Sequence, residues 1–280
     1  IGLAFVLVWC TGYIAGKLAV EQVGPMSTLV LRFGLAGAVF TVLAALARVL
    51  PGEPAAMRHS AVVGVLVLAM QFGGMYLGMR LGASAGVAAL VTGLMPLAVA
   101  ALVVMAGDER LGPTQWTGMA LGVTGVALVV ADRFDTAMPA AAWAALVVSL
   151  LGISLGTFYQ KRHASRIDLR VGLAVQNLTA CAVVLPLALW LEGLALESGR
   201  AFVLPLAWLV LVNSVGGFAL LFVLIRRGAA TQVAALFFLV PPVTAVMGLV
   251  VLGEPLGWVK GSGFAATAGG VWLATRPRAA

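Results

Sequence analysis

Lys17 and Arg32 each stand inside an apolar flank of WCTGYIAGKLAVEQVGPMSTLVLRF, residues 9–33. A cation so placed can hold a carboxylate if it faces a cavity, or reach a membrane surface and act as an anchor. Trp9, Tyr13 and Lys17 recur every four residues and share one helix face. If that face borders a cavity, Lys17 and Arg32 ring its outer mouth. If it does not, Glu21, one turn beyond Lys17, is a ready partner.

Other polar or aromatic groups sit mid-way along apolar runs: Gln71, Tyr76, Thr92, Thr157, Tyr159, Gln160, Gln176, Asn177, Asn213, Ser214, Phe237 and Phe238. Amides in hydrocarbon need partners, so these face other helices or a wet cavity rather than lipid. Each taken singly also suits an interhelical hydrogen bond or core packing. The cavity set read from the sequence is Trp9, Tyr13, Lys17, Arg32, Gln71, Tyr76, Thr92, Tyr159, Gln176, Asn177, Asn213, Phe237 and Phe238. Pro96 and Pro242 each remove a backbone donor and bend a helix, either as a fixed kink or as a gate.

The groups that are missing exclude much. The ten acids are Glu21, Glu53, Asp108, Glu109, Asp132, Asp135, Asp168, Glu192, Glu197 and Glu254, all in connections or at helix ends. His59 and His163 also lie toward span ends. No carboxylate or imidazole is placed at mid-depth, where proton relays and cation counter-charges sit. A cation substrate is therefore disfavoured, and neutral or zwitterionic substrates fit better. No HExxH, paired intramembrane Asp or GxxxxGK[ST] occurs, so neither proteolysis nor nucleotide hydrolysis has its parts. Cys10 and Cys181 lie in apolar spans and suggest neither a disulfide nor a metal site. No metal, no cofactor and no enzymatic activity are expected.

These residues are positioned by elements that the composition identifies. The 280-residue chain is 62% hydrophobic and 10% charged, and carries a net charge of +7. Its mean hydropathy is +1.10. Apolar runs of about 18–25 residues recur throughout, the length that crosses a bilayer as a helix. Ten spans are expected, near 2–20, 27–47, 60–79, 84–106, 114–131, 140–160, 170–191, 203–225, 230–252 and 257–275. The first span carries Thr11, Tyr13 and Lys17 and has a counterpart later in the chain, which argues against a cleaved signal peptide. Arg48, Arg58, Arg110, Lys161, Arg162, Arg166, Arg170, Arg226, Arg227, Arg276 and Arg278 fall on one side. The other side has Arg80, Arg133, Arg200 and helix-end residues such as Lys17, Arg32 and Lys260. The positive-inside rule then puts both termini in the cytoplasm. The positive charge is topological, and no basic surface is left for nucleic acid.

The second half echoes the first. In 81–112 and 227–257, Gly82, Pro96 and Gly107 meet Gly228, Pro242 and Gly253, and after a one-residue offset Glu109 and Gly112 meet Glu254 and Gly257. GYIAGK (12–17) matches GTFYQK (156–161) weakly, which pairs Lys17 with Lys161 and sets Arg32 against Gln176 and Asn177. Five spans per unit make the halves inverted copies, a geometry suited to alternating access. Small-xxx-small spacings such as Gly12/Gly16, Gly74/Gly78/Gly82, Gly118/Gly122 and Gly152/Gly156 read as close helix packing.

WCTGYIAGKLAVEQVGPMSTLVLRFGLA, and RLGASAGVAALVTGLMPLAVAALVVMAGDERLGPTQWTGMALGVTGVALVV with its second copy, resemble EamA-type members of the drug/metabolite transporter superfamily. The resemblance covers nearly the whole chain. It implies a ten-helix exporter of small metabolites, with Lys17 and Arg32 at the family's basic positions and helices 5 and 10 peripheral, at a dimer contact.

The expectation is an all-α polytopic membrane protein. Its ten transmembrane helices would form two inverted five-helix repeats, 1–132 and 139–276, around a central cavity. It would export amino acids or related metabolites, toxic analogues included, across a bacterial inner membrane. Uptake of a vitamin, sugar or nucleoside, or a channel, is the alternative. Expected partners are a small-molecule substrate and the lipid bilayer; proton coupling stays open, as does monomer or homodimer.

Overall fold

The computed structural model describes residues 2–106, 112–131, 138–163, 167–194, 196, 198–217, 220, 239–254 and 257–274, which hold no β-strand. The helices are α1 (Gly2–Gln22), α2 (Pro25–Leu46), α3 (Pro54–Val63), α4 (Gln71–Arg80), α5 (Ala85–Thr92), α6 (Met95–Met105), α7 (Pro113–Ala131) and α8 (Ala140–His163). They continue as α9 (Leu169–Glu192), α10 (Arg200–Ala207), α11 (Val240–Leu252) and α12 (Trp258–Ala274). Two π-helical segments interrupt the pattern, π1 (Gly64–Met70) between α3 and α4, and π2 (Trp208–Gly217) after α10.

Seven continuous stretches are long and apolar enough to cross a membrane: Gly2–Gln22, Pro25–Leu46, Pro54–Arg80, Ala85–Leu102, Ala140–Gln160, Leu169–Glu192 and Arg200–Gly217. The helices α7, α11 and α12 lie where the fifth, ninth and tenth spans are expected. The starts are set by local chemistry. Pro25 begins α2 at the position where a missing N–H costs nothing, and Asp168 caps α9 by accepting from the Arg170 amide at 2.9 Å. Large apolar side chains such as Leu46, Trp190, Val250 and Trp258 face outward, as lipid contact requires.

In the bundle α1 is central, touching α2, α4, α5, α10, π2 and α11. Outside this group α7 and α12 pack mainly on each other, backbone to backbone. A Cβ on Gly125 would lie 2.5 Å from the Thr267 amide nitrogen, and one on Gly270 would lie 2.7 Å from the Gly118 carbonyl. Small residues supply this approach where lipid gives no hydrophobic drive for helix pairing.

The irregular segments match across the repeat. The spacing that pairs Gly82 with Gly228 and Pro96 with Pro242 carries Gly64–Met70 onto 210–216, inside π2. The fourth span is interrupted mid-way, with both linking residues still in the right-handed helical region. Helix α5 ends at Thr92, two residues turn, and Pro96 stands in the first turn of α6. Pro241 and Pro242 likewise stand in the first turn of α11. The two spans cross tightly, since a Cβ at Gly86 would be 3.2 Å from Ala245 and one at Gly93 would be 2.8 Å from Pro241.

Candidate functional site

A cavity of about 210 Å³ lies among these irregular segments. Its walls come from both halves of the chain: Trp9, Gly12 and Tyr13 of α1, Arg32 and Phe33 of α2, and Val67, Leu68, Gln71, Phe72 and Met75 across the π1–α4 junction. Thr92, Gly93, Met95 and Pro96 contribute from the α5–α6 break, Ile153 and Thr157 from α8, Asn177 from α9, Asn213 and Ser214 from π2, and Val240 from α11. Gln71 directly follows π1 and Asn213 lies within π2, so two of the amides in the wall come from the irregular turns.

Gly12 and Gly16 do more than let helices approach. A Cβ on Gly12 would lie 2.9 Å from Asn213 Nδ2, and one on Gly16 would lie 2.9 Å from the Tyr76 hydroxyl. The two glycines make room for two polar side chains. Asn213 donates to the Val8 carbonyl at 2.6 Å, while its Oδ1 is buried without a partner. Asn177 donates back to the Leu173 carbonyl at 2.8 Å, and Thr92 to the Ala88 carbonyl at 2.8 Å. Because Pro96 has no N–H, the Thr92 carbonyl lacks its helical donor beside the cavity.

Arg32 is 6% exposed and borders the cavity. Its Nη1 donates to the Tyr76 hydroxyl at 2.7 Å and its Cζ lies 4.3 Å from the Phe72 ring centre. Phe72 and Tyr76 are one helical turn apart, so α4 offers both rings to the guanidinium on one face. The Nε atom is buried with no partner.

Lys17 behaves differently. Its Nζ lies 3.3 Å from Glu254 Oε1 and donates to the Ala83 carbonyl at 3.1 Å, and it is not part of the cavity wall. The two cations thus do not ring one mouth, because a residue distant in sequence neutralises one of them. Glu254 also accepts from the Ala85 amide at 2.9 Å, which caps α5. Gly253, in the left-handed region at φ 67°, ends α11 and turns Glu254 back toward these partners. At the same end of the bundle Glu192 caps α2, accepting from the Met26 and Ser27 amides at 3.0 and 2.7 Å. Both acids put negative charge on helix N-termini, where the helix dipole favours it.

Of the thirteen cavity residues read from the sequence, Trp9, Tyr13, Arg32, Gln71, Thr92, Asn177 and Asn213 line the cavity. Tyr76 stands behind Arg32. Tyr159 is outside the wall, its hydroxyl 2.8 Å from His59 Nδ1 and its ring stacked on His163. Gln176 is buried by helix packing, its carbonyl set against Gly64. Phe237 and Phe238 lie outside the described residues. Pro96 lines the cavity, whereas Pro242 stands beside Val240 and Pro241 in α11 and is not in the wall. Phe72 was missed, though its spacing from Tyr76 was visible as an aromatic pair one turn apart.

Helices apolar and long enough to span a membrane, packed around a cavity that draws on both halves of the chain, define a polytopic transport-type protein. The profile of the EamA-like transporter family matches residues 1–131 and 139–276, and the chain belongs to that family. The family is one of transporters rather than enzymes. A probable amino-acid metabolite efflux pump of Salmonella typhimurium is 25% identical over 98% of this chain and 93% of its own length. The uncharacterized transporter YvbV of Bacillus subtilis is 29% identical over 140 residues, half of this chain, and the match spans 46% of that relative. One crystal structure, 20% identical, superposes with a TM-score of 0.70 over 98% of this chain and 94% of its own, a likeness of fold.

Proposed function

We propose that this transporter exports small neutral or zwitterionic metabolites, amino acids or related compounds, across a bacterial inner membrane by alternating access. The reading takes residues 1–132 and 139–276 as inverted halves and places both termini in the cytoplasm. The observation that carries it is the cavity itself, which draws on both halves and has no carboxylate or imidazole among its described lining residues. A permanent cation would find no counter-charge there. The volume of about 210 Å³ is below the range of drug-sized ligand sites and suits a metabolite. The name of the Salmonella typhimurium relative supports the substrate class and the direction. Alternating access draws support from the close crossing of α5 with α11, near the prolines that stand in the first turns of α6 and α11.

The test is counterflow in proteoliposomes with labelled amino acids, nucleosides and organic cations, with and without a pH gradient. Amino acids are expected to exchange in preference to permanent cations. Preference for a permanent cation would overturn the charge argument, and conductance without counterflow would make the protein a channel.

A further inference from the structure

Among the described residues Arg32 is a buried cation to which the chain supplies no carboxylate. The described acids Glu21, Glu53, Asp168, Glu192 and Glu254 all stand at helix ends. Glu254 serves Lys17 and Ala85, Glu192 serves the α2 amides, and Asp168 serves Arg170. Tyr76 satisfies one of the five guanidinium N–H groups, Phe72 offers a ring face, and Nε remains unmet. Ring contacts offset only part of the cost of burying a charge. Such a cation gains from an anion placed in the cavity beside it.

The rest of the wall is unlike this corner. Asn213 Oδ1 is buried and unpaired, and the Thr92 carbonyl is released by Pro96. Both are neutral acceptors that can receive an N–H, but neither brings a formal negative charge. The cavity is therefore electrically lopsided, with a full charge for an anionic group and only dipoles for a cationic one.

We infer that Arg32 anchors the carboxylate of the substrate and that the cavity selects carboxylates while tolerating loss of the amine. The inference deepens the transport reading given above and rests on it for the path across the membrane. Binding at Arg32 stands on the local geometry. A carboxylate takes the unmet donors of the guanidinium in charge-assisted hydrogen bonds, with Tyr76 and Phe72 holding the fork in place. The ammonium of an amino acid settles against the Asn213 and Thr92 oxygens, a weaker contact that a des-amino acid forgoes.

The test compares two quartets on the purified wild-type protein in detergent, by thermal stabilisation, and in proteoliposomes by counterflow. The first is leucine, leucinamide, 4-methylpentanoate and 3-methylbutylamine. The second is phenylalanine, phenylalaninamide, 3-phenylpropanoate and phenethylamine. Both carboxylates of at least one quartet should bind, with the amide and the amine about 10–100-fold weaker. Arg32→Gln should remove that advantage, and Arg32→Lys, which keeps the charge without the fork, should restore part of it. Amides or amines that bind as well as the acids would overturn the inference, as would silence from both quartets. The wild-type ranking needs no variant to fold. Acid binding without counterflow would sink the transport reading and leave this one standing; counterflow of leucine or phenylalanine that Arg32→Gln leaves unchanged would do the reverse.

Discussion

The Lys17–Glu254 pair lends itself to a double-mutant cycle. The two side chains are 16% and 14% exposed, and the nitrogen and oxygen are 3.3 Å apart. At an effective dielectric near 20 the Coulomb attraction at that separation is about 5 kcal/mol. Desolvation of both ions cancels most of it, leaving a net coupling of about 1–2 kcal/mol. Glu254→Gln keeps an acceptor for the Ala85 amide but removes the charge from the α5 N-terminus, a further loss of about 0.5–1 kcal/mol. Lys17→Met forfeits the bond to the Ala83 carbonyl as well, about 1 kcal/mol. Each single variant should therefore unfold more readily, and the double variant should lose about 1–2 kcal/mol less than the two singles together. Reversible SDS titration of the protein in mixed micelles, followed by circular dichroism, measures all four corners. Losses that add to within about 0.5 kcal/mol would show that the pair contributes no coupling, and the reasoning would fail. Lys17→Met should also leave substrate affinity intact, because Lys17 is outside the cavity wall.

Three more outcomes are expected from the geometry. A Cβ at Gly24 would overlap the Glu192 carboxyl, so Gly24→Ala should displace the α2 cap and cost about 1–2 kcal/mol, and much less in a Glu192→Ala background; SDS titration reads both. Pro96→Ala gives the Thr92 carbonyl a donor and joins α5 to α6, so counterflow should slow while thermal stability holds; unchanged turnover would make the break a static feature. The Asp168 carboxyl is held below the usual carboxylate range by its hydrogen bonds from Arg170, so its stabilising effect is complete above the unfolded pKa near 4. That effect disappears as pH falls through the lowered folded value, and the difference in melting temperature between wild type and Asp168→Asn should close over the same interval.

Much of this architecture is written in local sequence. Helix α9 begins and ends within a residue of its expected span because its length, the Asp168 cap and Gly193 at φ 65° are all local signals. The echo between the halves rests on glycine, proline and glutamate in register, residues whose backbone or charge requirements tolerate few replacements. The π segments were not legible. GVLVLAM reads as ordinary apolar helix, and nothing in those seven residues announces the wider turn. Its setting is tertiary: Gly64 lies against the Gln176 backbone, and a Cβ on Gly152 would sit 2.7 Å from the Leu66 carbonyl. Those contacts come from α8 and α9, far along the chain, and no window around π1 contains them.

The same limit explains why two cations that look equivalent in sequence part company in the fold. Both sit about two turns inside an apolar run, and either can snorkel or bind an anion. What separates them is the supply of negative charge. Gly253 turns Glu254 toward Lys17, and that left-handed residue commits its carboxylate to the α1–α2 end of the bundle. Arg32 is left with rings and a hydroxyl. The polarity of the cavity thus follows where the helices are irregular: a glycine that redirects an acid, a proline that frees a carbonyl, and π turns at which Gln71 and Asn213 stand. A variant that moved a carboxylate beside Arg32, such as Met75→Glu in the cavity wall, should then abolish the preference for acids over amides while leaving the helices in place.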